Sequence, residues 1–226
     1  MIKILTEMKI LVLDNYDSFT YNLVHYLEEL TGEKVTVARN DEISIEQAAL
    51  FDRIVLSPGP GIPDEAGIMK EMILKLAPEK SILGICLGMQ AIAEVFGGHL
   101  TNLEKVYHGV ATDILIVEPS ETMFYGIPQI FKGGRYHSWV VDRETLPSCL
   151  QITATDENGM VMGLSHTHYD VRGLQFHPES VLTENGKQIL SNWLGTFISK
   201  TANIPFLPSP DNGHFANPGV FTGTLC

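Results

Sequence analysis

The chain has 226 residues, of which 44% are hydrophobic and 19% are charged, and its formal net charge is -12. This length suits one well-buried domain, and the negative charge argues against binding nucleic acid through its phosphates. No apolar stretch approaches the ~20 residues of a membrane span, and the apolar start is too short for a secretory signal, so we expect a cytoplasmic protein. Translation could begin at Met1 or at Met8, which open similar runs.

The first half of the chain alternates predicted strands with predicted helices. Continuous apolar runs are typical of strands buried on both faces, and they span residues 9–14, 35–38, 53–57 and 81–85. Apolar residues at helical spacing predict helices over 18–30, 44–50, 64–76 and 89–96. Ser18 is the predicted N-cap of the first helix and Gly32 its stop. This alternation predicts a parallel sheet with helices on both faces.

The pattern changes in the second half. Short strand-like runs separated by turns predict a smaller antiparallel extension on the same core; they span 111–117, 135–141, 150–154, 160–165 and 171–176. Residues 184–199 return to helical spacing. We therefore predict an α/β fold with a central, mostly parallel sheet. It forms one domain over residues 8–200, followed by a C-terminal tail rich in Pro, Gly and Asn over 201–226.

Cys86 lies in the sequence Gly84-Ile85-Cys86-Leu87-Gly88, where a predicted strand passes into a predicted helix. This layout is typical of a nucleophile elbow, and the N-terminus of the helix favours a thiolate. The alternative is an ordinary core cysteine, since cysteine is among the most buried residue types. The three cysteines, Cys86, Cys149 and Cys226, are too few and too scattered for a disulfide framework or a zinc site.

A histidine and a carboxylate follow the last predicted strand, in His177-Pro178-Glu179. Side chains two apart in extended backbone point the same way, so Glu179 can orient the His177 imidazole as the base that a cysteine nucleophile needs. Taken alone, the tripeptide is more typical of a surface turn. His166 and His168 are also two apart, but no third ligand is near them in sequence, so a metal site there is disfavoured.

The loop Pro58-Gly59-Pro60-Gly61 follows the third predicted strand, at the same sheet edge as Cys86. Its glycines leave backbone N–H groups accessible, and such donors can hold an oxyanion together with the N–H of the residue after the nucleophile. The alternative is a tight turn of ordinary kind. A phosphate-binding loop is excluded because no Gly-Lys-Ser/Thr follows.

Taken together, these motifs resemble those of the class I (triad) glutamine amidotransferases. Within that family, residues 14–23 (DNYDSFTYNL) and 135–139 (RYHSW) are similar to component II of anthranilate synthase and to its relative in 4-aminobenzoate synthesis. The resemblance covers residues 8–200. The chain departs from the family pattern in lacking a basic residue after His108-Gly109, and its tail matches no pattern that we recognise.

The resemblance implies the chemistry of the site. Cys86 would attack the side-chain amide of L-glutamine to give a glutamyl thioester and ammonia, with His177 as base and Glu179 orienting it. The residues implied to hold the oxyanion or the substrate are Gly59, Pro60, Gly61, Leu87, Gln90, Ser138 and Trp139. No metal or other cofactor is expected on this chain.

The resemblance also implies a partner. Ammonia would pass directly to a large chorismate-binding subunit that uses Mg²⁺, making anthranilate for tryptophan synthesis. Tyr16, Ser18 and Phe19 would face that subunit, although the same segment could be a plain helix start capped by Ser18. Three alternatives stay open: a subunit of aminodeoxychorismate synthase or of both synthases, a stand-alone gamma-glutamyl hydrolase, and a non-catalytic scaffold.

Overall fold

A computed structural model describes residues 8–195 and Cys226. The strands are β1 (Ile10–Asp14), β2 (Thr36–Arg39), β3 (Arg53–Leu56), β4 (Ser81–Ile85), β5 (Leu100–Asn102), β6 (Val110–Ile116), β7 (Ile130–Arg135), β8 (Trp139–Val141), β9 (Leu150–Thr155), β10 (Val161–His166) and β11 (Val171–Leu174). The α-helices are α1 (Thr20–Thr31), α2 (Ile45–Ala48), α3 (Met69–Leu76), α4 (Leu87–Val95) and α5 (Gly186–Leu194). The predicted tail, apart from Cys226, and the last residues of the predicted final helix lie outside the described residues.

In the described part of the chain, one large sheet carries the strand order β2-β1-β3-β4-β11-β10-β9-β6-β7. The five strands from β2 to β11 run parallel to one another. The four strands from β10 to β7 continue the same sheet in antiparallel pairs, while β5 and β8 form a separate ribbon. The predicted α/β fold, with its parallel centre and antiparallel extension, is confirmed.

Helices cover both faces of the sheet. Because successive side chains in a strand point to opposite faces, one strand contributes residues to both cores. In β1, Leu11 and Leu13 join the core beneath α2, α3 and α4. Ile10 and Val12 join the opposite core, which α1 and α5 cover. β1 is therefore apolar from Ile10 to Leu13, as expected for a strand buried on both faces. None of the helices among the described residues is long and apolar enough to cross a membrane.

Two predicted elements begin or continue differently in the structure. Helix α1 begins at Thr20, and the N–H of Phe19 donates to Asp17 Oδ1 at 2.7 Å, so Asp17 rather than Ser18 supplies the side-chain acceptor at this turn. Gly32 ends α1 as predicted, in the left-handed conformation with φ 72°. The helix predicted over 64–76 is interrupted because Gly67 takes φ 53°, leaving a 3-10 turn before α3.

The strand predicted over 135–141 is broken in the structure. β7 ends at Arg135 and pairs with β6, whereas β8 begins at Trp139 and pairs with β5. The intervening residues 136–138 leave the large sheet and cross to the ribbon. Apolar residues stand in this break and directly after it, at Tyr136 and at Trp139, so the composition of the segment does not reveal it.

A disulfide joins Cys149, just before β9, to Cys226, with their Cα atoms 5.2 Å apart. The positions of the three cysteines argue against a disulfide framework, and this single bond was not predicted from them. The pairing depends on where the fold brings the chain, and a separation of 77 residues in sequence carries no information about that distance.

Candidate active site

Cys86 occupies a strained turn between β4 and α4. Its φ is 52° and its ψ is −101°, a conformation that residues with a side chain rarely adopt. Strain of this kind clusters at functional sites and is the mark of a nucleophile elbow. The side chain is buried at the N-terminus of α4, whose first N–H groups and positive dipole end favour a negative charge there. The geometry of the elbow is as the sequence predicted.

The flanking glycines are needed for close packing of α4 against the sheet. A Cβ atom on Gly84 would lie 2.4 Å from the carbonyl carbon of Gly88, and one on Gly88 would lie 2.6 Å from the backbone oxygen of Leu56. Distances this short are steric overlaps with backbone atoms. Absence of side chains at both positions therefore lets the first turn of α4 sit directly on β3 and β4.

His177 and Glu179 form a buried pair in the segment after β11. His177 Nδ1 lies 2.7 Å from Glu179 Oε1, and the two residues are 2% and 1% exposed. Burial would lower the pKa of His177, but interactions with Cys86 and with the Glu179 carboxylate outweigh it and raise that pKa to about 10. Within the described structure, Nε2 makes no hydrogen bond. It is thus the ring nitrogen available to exchange a proton with Cys86.

Two aromatic rings enclose the His177 imidazole. The ring centroid of Tyr136 lies 4.8 Å from that of His177, and the Phe19 centroid lies 5.4 Å away at its edge. Phe19 is therefore half-buried against the His177 imidazole, while Ser18 and Tyr16 are exposed. Tyr16 also has a positive φ of 62°, and its hydroxyl donates to Asp41 at 2.8 Å. Sequence reasoning assigned all three to a partner surface and missed the contact of Phe19 with the histidine.

The glycine-proline loop lies against the start of α4. A Cβ atom on Gly59 would come within 2.7 Å of both Asn15 Cβ and Leu87 Cδ2, so only glycine fits between them. The loop is held from the other side by Asn15, whose side-chain N–H donates to the Ser57 carbonyl at 2.8 Å. A cleft of about 390 Å³ opens beside it, with Pro60, Gly61 and Leu87 in its wall. The loop therefore adjoins the elbow, as predicted.

A chain of side-chain amides reaches the sulfur. Gln90 Nε2 donates to the Trp139 carbonyl at 2.9 Å and to Gln175 Oε1 at 3.2 Å. Gln175 Nε2 in turn donates to Cys86 Sγ at 3.5 Å. The N–H groups of Gln90 are thus used within the protein, and the acceptor Oε1 is what this residue can offer a ligand. Sequence reasoning gave Gln175 no role, although it lies two residues before His177 and so points to the same side of an extended chain.

A buried arginine supports the loop that carries Ser138 and Trp139. Arg135 is 1% exposed, and its Nη1 donates to Asp156 at 2.8 Å. Its Nε–H donates to His137 Nε2 at 3.1 Å, and the guanidinium lies 3.6 Å from the centroid of the Tyr107 ring. The motif RYHSW indicates a resemblance in this segment, but nothing in the motif shows that its arginine is buried.

His137 is neutral in this arrangement. Arginine can only donate, so Nε2 must accept and the proton lies on Nδ1, which donates to the Trp139 carbonyl at 3.0 Å. Burial, and then the charge of Arg135, lower the pKa of His137 to about 3. The Trp139 carbonyl is therefore held by two donors, one from His137 and one from Gln90. The Ser138 carbonyl is fixed as well, accepting from the Leu103 N–H at 2.7 Å.

His166 ends β10, and His168, the other histidine of the pair disfavoured as a metal site, follows two residues later. Among the described residues, no group of three or more His, Cys, Asp or Glu side chains is placed to hold a metal ion. His166 Nδ1 instead accepts from the backbone N–H groups of His168 and Tyr169, at 3.0 and 2.9 Å. Its ring stacks on that of Tyr169, so the residue has a packing role.

Comparison with known proteins gives one consistent family. Residues 11–196 match the family model described as glutamine amidotransferase class-I. The chain is 46% identical over 190 residues to aminodeoxychorismate/anthranilate synthase component 2 of Bacillus subtilis, covering 83% of this chain and 96% of that protein. It is also 46% identical to anthranilate synthase component 2 of Pseudomonas aeruginosa over 192 residues, 82% of this chain and 94% of that one.

Aminodeoxychorismate synthase component 2 of Escherichia coli gives the same identity, 46% over 187 residues, covering 82% of this chain and 98% of that protein. Among solved structures, a candidate GMP synthase subunit from Thermoplasma acidophilum superposes with a TM-score of 0.75 at 29% identity. That match covers 84% of this chain and 94% of the other. The sequence comparisons and the structural comparison therefore agree with each other.

Proposed function

Because the chain belongs to the class I glutamine amidotransferases, we propose that it is the glutaminase subunit of anthranilate synthase. It would hydrolyse L-glutamine and pass ammonia to a larger chorismate-binding subunit, in the synthesis of tryptophan. The observation that carries this proposal is the strained Cys86 elbow in one buried site with the His177–Glu179 pair. The names of the similar proteins support it, since each is component 2 of a synthase.

The reaction begins from the ion pair that the raised pKa of His177 favours, in which Nε2 holds the proton of the Cys86 thiol. The sulfur then attacks the side-chain amide carbon of glutamine, and the C–N bond breaks as His177 returns the proton to the departing ammonia. Water, deprotonated by the same imidazole, attacks the resulting thioester and releases glutamate and the cysteine. Glu179 keeps Nδ1 protonated and stabilises the imidazolium throughout, which is the role its 2.7 Å contact supports.

The oxyanion formed in each step would be bound by the backbone N–H groups of Gly59 and Leu87. Two observations support this assignment: the loop contacts Leu87 directly, and Leu87 is the first residue of α4. The α-ammonium group of glutamine would bind Gln90 Oε1, and the backbone of Ser138 and Trp139 would complete the pocket. His137 and Gln90 both donate hydrogen bonds to the Trp139 carbonyl and hold it in place, so this segment is suited to positioning a substrate.

Ammonia released into water would be protonated and lost as a nucleophile, so it must reach a partner directly. Mg²⁺ and chorismate would bind the partner, and this chain needs no cofactor of its own. Tyr16, Ser18 and the exposed edge of Phe19 are the proposed contact surface, and its position next to His177 would link partner binding to the base. A cytoplasmic location is part of the same proposal.

A second candidate is the equivalent subunit of aminodeoxychorismate synthase, or one shared by both synthases. It is favoured by a specific observation: the chain is equally identical, at 46%, to relatives named for either synthase and to one named for both. A stand-alone gamma-glutamyl hydrolase and a non-catalytic scaffold have no comparable support.

The test combines the purified chain with each candidate large subunit in the presence of glutamine, chorismate and Mg²⁺. We expect weak glutamate release from the chain alone and a strong rise in the correct complex, with anthranilate formed. The Cys86→Ala variant is the control: it should abolish glutamine-dependent synthesis while the complex still uses added ammonium. Synthesis from glutamine by Cys86→Ala would overturn the proposal, and full glutamyl cleavage without any partner would favour a stand-alone hydrolase.

A further inference from the structure

The amide of Gln175 contacts the nucleophile itself, and nothing in the proposed triad accounts for it. Gln175 has no exposed surface, and its Nε2 lies 3.5 Å from Cys86 Sγ, within hydrogen-bond distance for sulfur. We propose that Gln175 is a further catalytic residue, whose side-chain N–H stabilises the thiolate of Cys86. This inference rests on the proposed function, because it concerns the same nucleophile.

The orientation of the amide is determined by the backbone. The Trp139 carbonyl can only accept, so the Gln90 atom 2.9 Å from it must be the NH₂ group. The same NH₂ group lies 3.2 Å from Gln175, so the Gln175 atom that faces it must be the carbonyl oxygen. The NH₂ group of Gln175 is therefore directed at the sulfur. A flipped amide would set two NH₂ groups against each other and two acceptors together.

The hydrogen bond favours the charged form of the sulfur. Thiolate is a much stronger acceptor than thiol or thioester, and the contact lies in a buried site where hydrogen bonds to a charge are strengthened. The helix N-terminus and the His177 imidazolium act from other sides of the same atom. Gln175 would thus stabilise the sulfur as attacking thiolate, and again as leaving group when water cleaves the C–S bond and the electron pair returns to sulfur.

Gln90 connects this donor to the substrate site. The same amide that would bind the α-ammonium group of glutamine through Oε1 fixes Gln175 through its N–H. Any shift of Gln90 on substrate binding would therefore also move the Gln175 amide and change its hydrogen bond to the sulfur. The inference predicts a graded series of variants: loss of the Gln175 donor should have a large effect, and loss of its Gln90 anchor a smaller one.

The experiment measures the rate of alkylation of Cys86 by iodoacetamide against pH, followed at the Cys86 peptide by mass spectrometry. We expect the midpoint of the curve to rise by about one pH unit in Gln175→Met, with alkylation below the midpoint about tenfold slower, the effect of losing one hydrogen bond to a charge. Gln175→Glu, which places an anion beside the sulfur, should shift it further. Gln151→Met, an exposed glutamine on β9, is the matched control and should leave the curve unchanged.

An unchanged midpoint in folded Gln175→Met or Gln175→Glu would overturn the inference; circular dichroism establishes which variants are folded. Should neither fold, Gln90→Met decides, since an unshifted curve there would equally contradict it. The assay uses no glutamine, chorismate or partner. A shifted midpoint with no glutamine-dependent synthesis would therefore reject the proposed function alone, and product formation with an unshifted midpoint would reject only the role of Gln175.

Discussion

Replacing His137 with glutamine should remove one specific dependence of stability on pH. The pKa of His137 is lowered to about 3 by its burial and by Arg135, whereas an unfolded histidine titrates near 6.5. Between these values the unfolded chain binds one proton that the folded chain does not. The contribution of His137 is therefore fully present above about pH 6.5 and is lost as the pH falls toward 3, at about 1.4 kcal/mol per pH unit.

The magnitude follows by integrating that slope. Between about pH 7.5 and 4.5, the free energy of unfolding of the wild type should fall by roughly 2.6 kcal/mol more than that of His137→Gln. Glutamine can also donate and accept, but it does not titrate. Protonation of the imidazole would remove the acceptor of the Arg135 Nε–H and set two cations together, which is why the folded state resists it.

Urea unfolding at a series of pH values, followed by circular dichroism, measures this difference. A constant offset between the variants is irrelevant; the slope is the quantity of interest. The control is His99→Gln, which removes an exposed histidine in the same manner. If the curves of wild type and His137→Gln run parallel over this range, His137 is not held neutral and the hydrogen-bond assignment around Trp139 is incorrect.

Two further predictions concern packing and buried charge. Gly84→Ala should destabilise the protein by about 2–3 kcal/mol and abolish glutaminase activity, because its Cβ would overlap the backbone of Gly88 and displace α4. Gly32→Ala is the control, because Gly32 has open space around it and only an unfavourable φ. It should lower the free energy of unfolding by about 1 kcal/mol and leave activity intact. Equal losses of stability in the two variants would exclude overpacking as the cause. Arg135→Met should cost about 3–5 kcal/mol in urea unfolding by leaving the Asp156 carboxylate buried and unpaired. The double variant with Asp156→Asn should recover part of this, and a single-variant cost below about 1 kcal/mol would contradict the ion pair.

Local sequence features predicted the strands and helices of the first half well because their causes are local, whereas β5 and most of β7 were not predicted. The apolar run of β4 has the predicted bounds, Ser81–Ile85, and Gly32 ends α1 because left-handed backbone favours glycine. The capping of α2 by Ser44 follows the same logic, since its side chain and that of Gln47 satisfy each other's backbone N–H groups. The elbow was predictable for a similar reason, because the residue types at a strand–helix junction directly indicate the geometry of the turn there.

Features that depend on neighbours distant in sequence could not be predicted in this way. Nothing near Arg135 indicates that Asp156 lies beside it, so its burial is visible only in the fold. The same holds for the disulfide of Cys149 and for the break after β7. Gln175 lies two residues before the His177-Pro178-Glu179 motif, but its contact with the sulfur depends on the amide of Gln90, which is 85 positions away.

The position of β11 in the sheet has a consequence for how the protein folds. β11 is paired on one side with β4 and on the other with β10, so it joins the parallel strands only after the chain has been made as far as Leu174. Cys86 and Gln175 are 89 positions apart, a long loop to close. During synthesis Cys86, the proposed nucleophile, is thus made well before His177, the proposed base. Non-local pairing of this kind forms late, so we expect the proposed pairing of Cys86 with His177 to be assembled only when β11 has joined the sheet.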